Sequence, residues 1–152
     1  MEKKKVLFVG YEDICRSYLL LVAFNLHLTK MGITDYRAET AGVCHSAHRS
    51  HPPHQLAVAA AARLGQRLDH QSRWFAALKG KSEFDLFVCV DEEVAGHVVA
   101  SDVPRDRIVN AHLGKPQPAD SQAGYDGLMA RITPFTERLV SKHFRPPLRS
   151  PQ

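Results

Sequence analysis

The apolar residues follow two patterns. Val6 to Val9 is a short continuous run, the mark of a strand covered on both faces, and Phe84 to Val90, broken only by Asp85, is the clearest buried strand. Leu20, Phe24 and Leu26 to Leu28 recur instead at helical spacing. The first run ends at a polar loop beginning with Gly10, so a helix is expected from Ser17 to about Lys30, with Gly32 as its stop. Tyr36 to Thr40 reads as a second strand closed by Ala41-Gly42, and residues 43–54 as irregular and histidine-rich. Gln55 to Leu64 is an alanine-rich helix ended by Gly65, and a short helix is expected near Ser72 to Leu78. Beyond the Phe84 to Val90 strand, Asp91-Glu92-Glu93 opens a helix, Ile108-Val109 is a short strand, and the last helix runs from about Ala123 to Lys142.

Strands alternating with helices predict an α/β fold: a single domain with a four-stranded parallel sheet flanked by helices, Rossmann-like in plan. The domain is expected over residues 1–143, with a Pro-rich tail over 144–152. In such sheets ligands collect at the carboxyl ends of the strands, which brings the loops at 10–17, 41–54, 91–93 and 111–121 to one rim.

Composition narrows the function. A chain of 152 residues, 44% hydrophobic and 24% charged, suits one buried core. No run reaches the roughly 18 apolar residues of a membrane span. The basic start followed by Val6 to Val9 imitates a secretory signal, but Glu12, Asp13 and Arg16 interrupt it, so a cytoplasmic protein is expected. Three separated cysteines, Cys15, Cys44 and Cys89, give neither a disulfide framework nor a paired zinc signature. The net charge of +4 is spread along the chain without interleaved aromatics, which argues against nucleic acid as a partner.

The first loop carries a resemblance. Val6-Leu-Phe-Val-Gly-Tyr-Glu-Asp-Ile-Cys-Arg-Ser17 is similar to the opening of the low-molecular-weight protein tyrosine phosphatases: an apolar strand, Cys-x5-Arg-Ser, then a helix. Thr40-Ala-Gly42 resembles that family's Ser-Ala-Gly, Gly65 with His70-Gln-Ser-Arg73 its Gly…His-x-Ala-Arg, and Phe84-Asp-Leu-Phe-Val-Cys-Val-Asp91 its third strand. These matches keep their order over about 120 residues, so the resemblance implies the family's fold.

It also implies the family's chemistry, in which a cysteine thiolate attacks phosphorus while loop N–H groups, a helix N-terminus and the arginine hold the phosphate oxygens. Here the matching position is Gly10, which has no nucleophile to offer. Glu12 and Asp13 stand where the family has Gly-Asn. At roughly 5 Å from a dianion, each carboxylate would cost on the order of 1 kcal/mol, so phosphate affinity is expected to be poor. Arg16 and Ser17 match, with Arg16 expected to pair with Glu12 or Asp13. In place of the aspartate of the family's Asp-Pro-Tyr stands Gln117, which cannot act as a proton donor; Asp120 lies three residues on.

The expected ligand-binding residues are therefore Gly10, Tyr11, Glu12, Asp13, Ile14, Cys15, Arg16, Ser17, Asp91 and Gln117, with Tyr18 on the same rim. Cys15 sits at a helix N-terminus beside Arg16, where thiol pKa values fall, but a small buried residue packing under the loop is the expectation; with Arg16 and Asp120 it forms the fallback catalytic set. His45, His48, His51 and His54 recur every three residues beside Cys44, a spacing that could converge on zinc, but Pro52 and Pro53 break any helix that would align them, and a solvated loop is the expectation. Asp91 is expected both to cap a helix and to fix neighbouring loops, and Cys89 to be core. No metal and no cofactor is called for. The expected function is an inactive pseudophosphatase acting by binding a protein or small molecule, as a monomer or weak homodimer, with weak phosphatase activity through Cys15 and Asp120 as the alternative.

Overall fold

A computed structural model describes residues 3–66, 68–119 and 121–144. Four parallel strands, β1 (Lys4–Gly10), β2 (Tyr36–Gly42), β3 (Leu86–Cys89) and β4 (Ile108–Asn110), lie in the order β2-β1-β3-β4. Four helices cover them: α1 (Arg16–Lys30), α2 (Gln55–Ala62), α3 (Glu92–Ala100) and α4 (Gln122–His143). Val6 to Val9 are wholly buried, as a central strand between two helical layers requires, and pack with Leu19, Leu20, Phe24, Val88 and Ile132. The chain leaves β1 toward β2 on one side and reaches β3 on the other, so the crevice at this change of direction opens above the carboxyl end of β1, at Gly10.

The α/β expectation is met in order and number of elements, with boundaries shifted. β1 extends three residues, taking in Lys4, Lys5 and Gly10 around the apolar run, because the ladder to β2 runs from Lys4 opposite Tyr36 to Gly10 opposite Gly42. The expected helix over 72–78 is replaced by a 3₁₀ turn over Phe75–Ala77, since Trp74 just before it is held extended in a bridge to Gly42. Within the irregular stretch, His45–Arg49 forms another 3₁₀ turn. Phe144, assigned to the tail, is 7% exposed and packs edge-on against Phe24, so the core reaches one residue past the expected boundary. The rest of the tail lies outside the described residues. Among those described, no helix is long and apolar enough to cross a membrane.

Candidate oxyanion site

Residues 10–17 wrap a cavity of about 260 Å³, completed by His54, Lys115, Pro116, Ala119 and Tyr125. The loop is drawn tightly over β2. A Cβ on Gly42 would lie 2.8 Å from the carbonyl carbon of Glu12 and from the Tyr11 carbonyl oxygen, so only glycine permits this approach. That gives the Thr40-Ala-Gly42 signature its physical reason. Main-chain bonds fix the far side: Val43 N–H donates to Gly10 O (3.0 Å), Cys44 N–H to Tyr11 O (2.7 Å) and His54 N–H to Ile14 O (2.7 Å).

With the loop carbonyls engaged outward, its amides remain available. Among the described residues, no protein acceptor takes the backbone N–H groups of Tyr11 through Ser17. The residues that carry them line the cavity together with the N-terminus of the 15-residue α1, an arrangement suited to an anion.

Asp13 does not project into this space as its sequence position suggested. Its backbone is left-handed, φ 63°, and the side chain turns beneath the loop, buried to 0% exposure. Oδ1 accepts the Ser17 hydroxyl (2.8 Å), Oδ2 accepts the Arg73 N–H (3.0 Å), and His70 Nε2 lies 3.5 Å from Oδ1 and 2.7 Å from the Asp13 carbonyl oxygen. Glu12 is exposed at the cavity wall, so one of the two expected carboxylates remains there.

The expected pairing of Arg16 with Glu12 or Asp13 is also corrected. Nη1 of Arg16 donates to Asp91 Oδ2 (2.7 Å) and to Leu113 O (2.9 Å), both at the carboxyl edge of the sheet beyond β3 and β4. Nε and Nη2 have no protein partner among the described residues, and the side chain lines the cavity. Asp91 does the two things expected of it. Oδ1 caps α3 by accepting the Val94 N–H (2.9 Å) while Oδ2 holds Arg16. Burial works against its charge, but the Val94 N–H, Arg16 and Lys115 outweigh burial and hold the carboxyl below the usual range.

The remaining expected residues separate. Gly10 closes β1 at the cavity floor, and a Cβ there would stand 2.9 Å from Ser17 Oγ. Cys15 lines the cavity, and burial pushes its thiol up against the opposing Tyr125 hydrogen bond and Arg16 charge, the reverse of the fall that a helix N-terminus alone would give. Gln117 is exposed outside the cavity lining, and Asp120 lies outside the described residues. Tyr18, placed on the rim by its sequence position, is 1% exposed and meets the His70 ring edge-on because it falls on the buried face of α1. The histidines have separate contacts. His45 stacks on His48 and meets the edge of Trp74, His51 N–H donates to Ser72 Oγ, and His54 caps α2 and stacks on Tyr125. Among the described residues no three His, Cys, Asp or Glu side chains are placed to share a metal.

The sequence places the histidine loop on the rim without singling out His54, and it does not show Lys115, Tyr125 or the His70 contact to the loop. His70-Gln-Ser-Arg73 was visible as a motif, and its purpose follows from the two bonds it makes to Asp13.

Residues 5–120 match the model of the low molecular weight phosphotyrosine protein phosphatase family. No curated protein matches the sequence significantly. Among solved structures, the low molecular weight protein tyrosine phosphatase from T. tengcongensis is 20% identical, with TM-score 0.80 over 92% of this chain and 99% of that one. Drosophila arginine phosphatase is 17% identical, with TM-score 0.79 over 93% and 98%. Vibrio vulnificus Wzb in complex with benzylphosphonate is 17% identical, with TM-score 0.76 over 91% and 98%.

Proposed function

Because this chain belongs to the low molecular weight phosphotyrosine protein phosphatase family, we propose that it is a member that grips an oxyanion without covalent attack: a pseudophosphatase that binds a phosphorylated side chain or small phosphomonoester and releases it unchanged. The observation that carries this reading is the pairing of open N–H groups over residues 11–17 with a floor, at Gly10, that has no side chain. Charge-assisted donation from Arg16, with Lys115 in the wall, adds to the main-chain donors. Asp91 plays a positioning role, because it anchors one arm of the Arg16 fork and leaves the rest to the cavity.

The expectation of poor phosphate affinity rested on two carboxylates in the loop. With Asp13 turned beneath it, Glu12 is the one of these two carboxylates left to oppose a dianion, by on the order of 1 kcal/mol at exposed separations. Attack by Cys15 is the weaker alternative, since a thiol with a raised pKa holds little thiolate at neutral pH. The similar structures include a tyrosine phosphatase, an arginine phosphatase and a complex with benzylphosphonate, which supports a phosphoryl ligand without selecting the group that carries it.

The test is calorimetric titration of the purified chain with phosphotyrosine and with inorganic phosphate, beside an assay with p-nitrophenyl phosphate. Saturable binding without turnover is expected. Hydrolysis that survives repurification, or no binding of either ligand, overturns the proposal.

A further inference from the structure

The cavity loop is fastened from below by a buried pair of titratable groups. The side chains of Asp13 and His70 are 0% and 4% exposed. A single imidazole nitrogen, Nε2, reaches both the main chain and the side chain of Asp13, at 2.7 Å from its carbonyl oxygen and 3.5 Å from Oδ1. Asp13 is the left-handed residue on which the loop turns, and its carboxylate also holds Ser17 in the first turn of α1 and the Arg73 N–H in the segment that carries His70. The pair thus joins the loop, α1 and residues 70–73 at one buried point.

We infer that Asp13 and His70 form a pH-responsive clamp, holding the cavity loop in its donor-exposing shape more firmly when the imidazole is charged. The clamp would regulate the oxyanion site proposed above, and its relevance to a ligand rests on that reading. Neutral His70 can still donate from Nε2 to the Asp13 carbonyl, but it loses the attraction to the carboxylate.

Among the described residues, three titratable or charged groups face the ring. Asp13 comes from the loop, Tyr18 from α1 at 5.2 Å between ring centroids, and Arg73 from the same segment, with its guanidinium drawn off to Glu39 Oε1 (2.8 Å) and Thr40 O in β2. Burial opposes the charge on His70 and Arg73 adds to that opposition, but Asp13 outweighs them and raises the imidazole above its ordinary 6.5. The sign follows. The contribution is complete below the unfolded value and is lost as pH rises through the higher folded one.

The experiment follows the His70 ring signal and the amides of residues 11–17 by NMR from pH 5 to 9, in the full chain and in Asp13→Asn and His70→Gln. Asparagine tolerates the left-handed turn, and glutamine keeps an N–H donor without titrating. In the unaltered chain the loop amides should shift with the His70 midpoint. Asp13→Asn should lower that midpoint and flatten the loop response, and His70→Gln should flatten it too. Loop amides indifferent to the His70 titration, or equally responsive in Asp13→Asn, overturn the clamp.

Sulfate, a dianion throughout this range, separates the two readings. Its affinity should fall on the alkaline side more steeply in the unaltered chain than in Asp13→Asn. If neither chain binds sulfate at any pH, the oxyanion reading fails, while the loop titration still decides the clamp.

Discussion

At the scale of the residue, Gly10 and Asp13 show how little of a site's chemistry is fixed by residue type alone. Asp13 counted against a phosphate while its side chain was assumed to face the ligand; the left-handed backbone turns it under the loop, toward a histidine 57 residues away. No local pattern carries that information. Gly10, by contrast, was legible at once, because a missing side chain has no orientation to mistake. Gly10→Cys tests the cradle directly. Its Cβ would come within 2.9 Å of Ser17 Oγ, so the hydroxyl must give way, at a cost of about 1–3 kcal/mol. The variant is expected to release a burst of p-nitrophenolate and to carry a phosphoryl adduct by mass spectrometry, followed by slow turnover because Gln117 cannot act as the base that activates water on the phosphocysteine. A folded variant with neither burst nor adduct would mean that the loop does not hold an oxyanion above position 10.

Among the elements, the apolar runs and helical spacings placed all four strands and the four long helices in order, because each buries a face whose periodicity survives in the sequence. The segment before Phe75 was not legible. Its one bridge, Trp74 to Gly42, is a pairing of single residues and leaves no period to read. The join between α1 and α3 was half legible: Asp91 is recognisable as a cap, but its bond to Arg16 spans 75 residues. Asp91→Asn should keep the cap, since the amide oxygen can still accept the Val94 N–H, and lose the charge opposite Arg16. Because the folded carboxyl titrates below its ordinary value, its stabilisation is present above that ordinary value and disappears as pH falls through the lower one. Urea unfolding should show the variant less stable by about 1–2 kcal/mol at pH 7 and converging with the unaltered chain near pH 2.

Across the molecule, the three cysteines sample three depths, and their reactivity should follow. Cys44 lies near the surface, where the Ser46 hydrogen bonds lead in lowering its thiol, aided by Tyr11 and against slight burial and Glu12. Cys15 is raised by burial in the cavity wall, and Cys89, wholly buried in β3, is pushed up to about 12. Iodoacetamide at neutral pH, read by peptide mass mapping, should label Cys44 first and Cys15 much more slowly, leaving Cys89 untouched until the chain unfolds. Early labelling of Cys15 would favour the thiol reading of the site over the binding one.

The cavity is lined by residues whose main-chain amides have no protein acceptor among those described, and no substitution short of proline deletes an amide hydrogen. A lineage built this way can discard its attacking atom in one mutational step and still inherit the recognition geometry, so loss of turnover and loss of ligand need not arrive together in evolution.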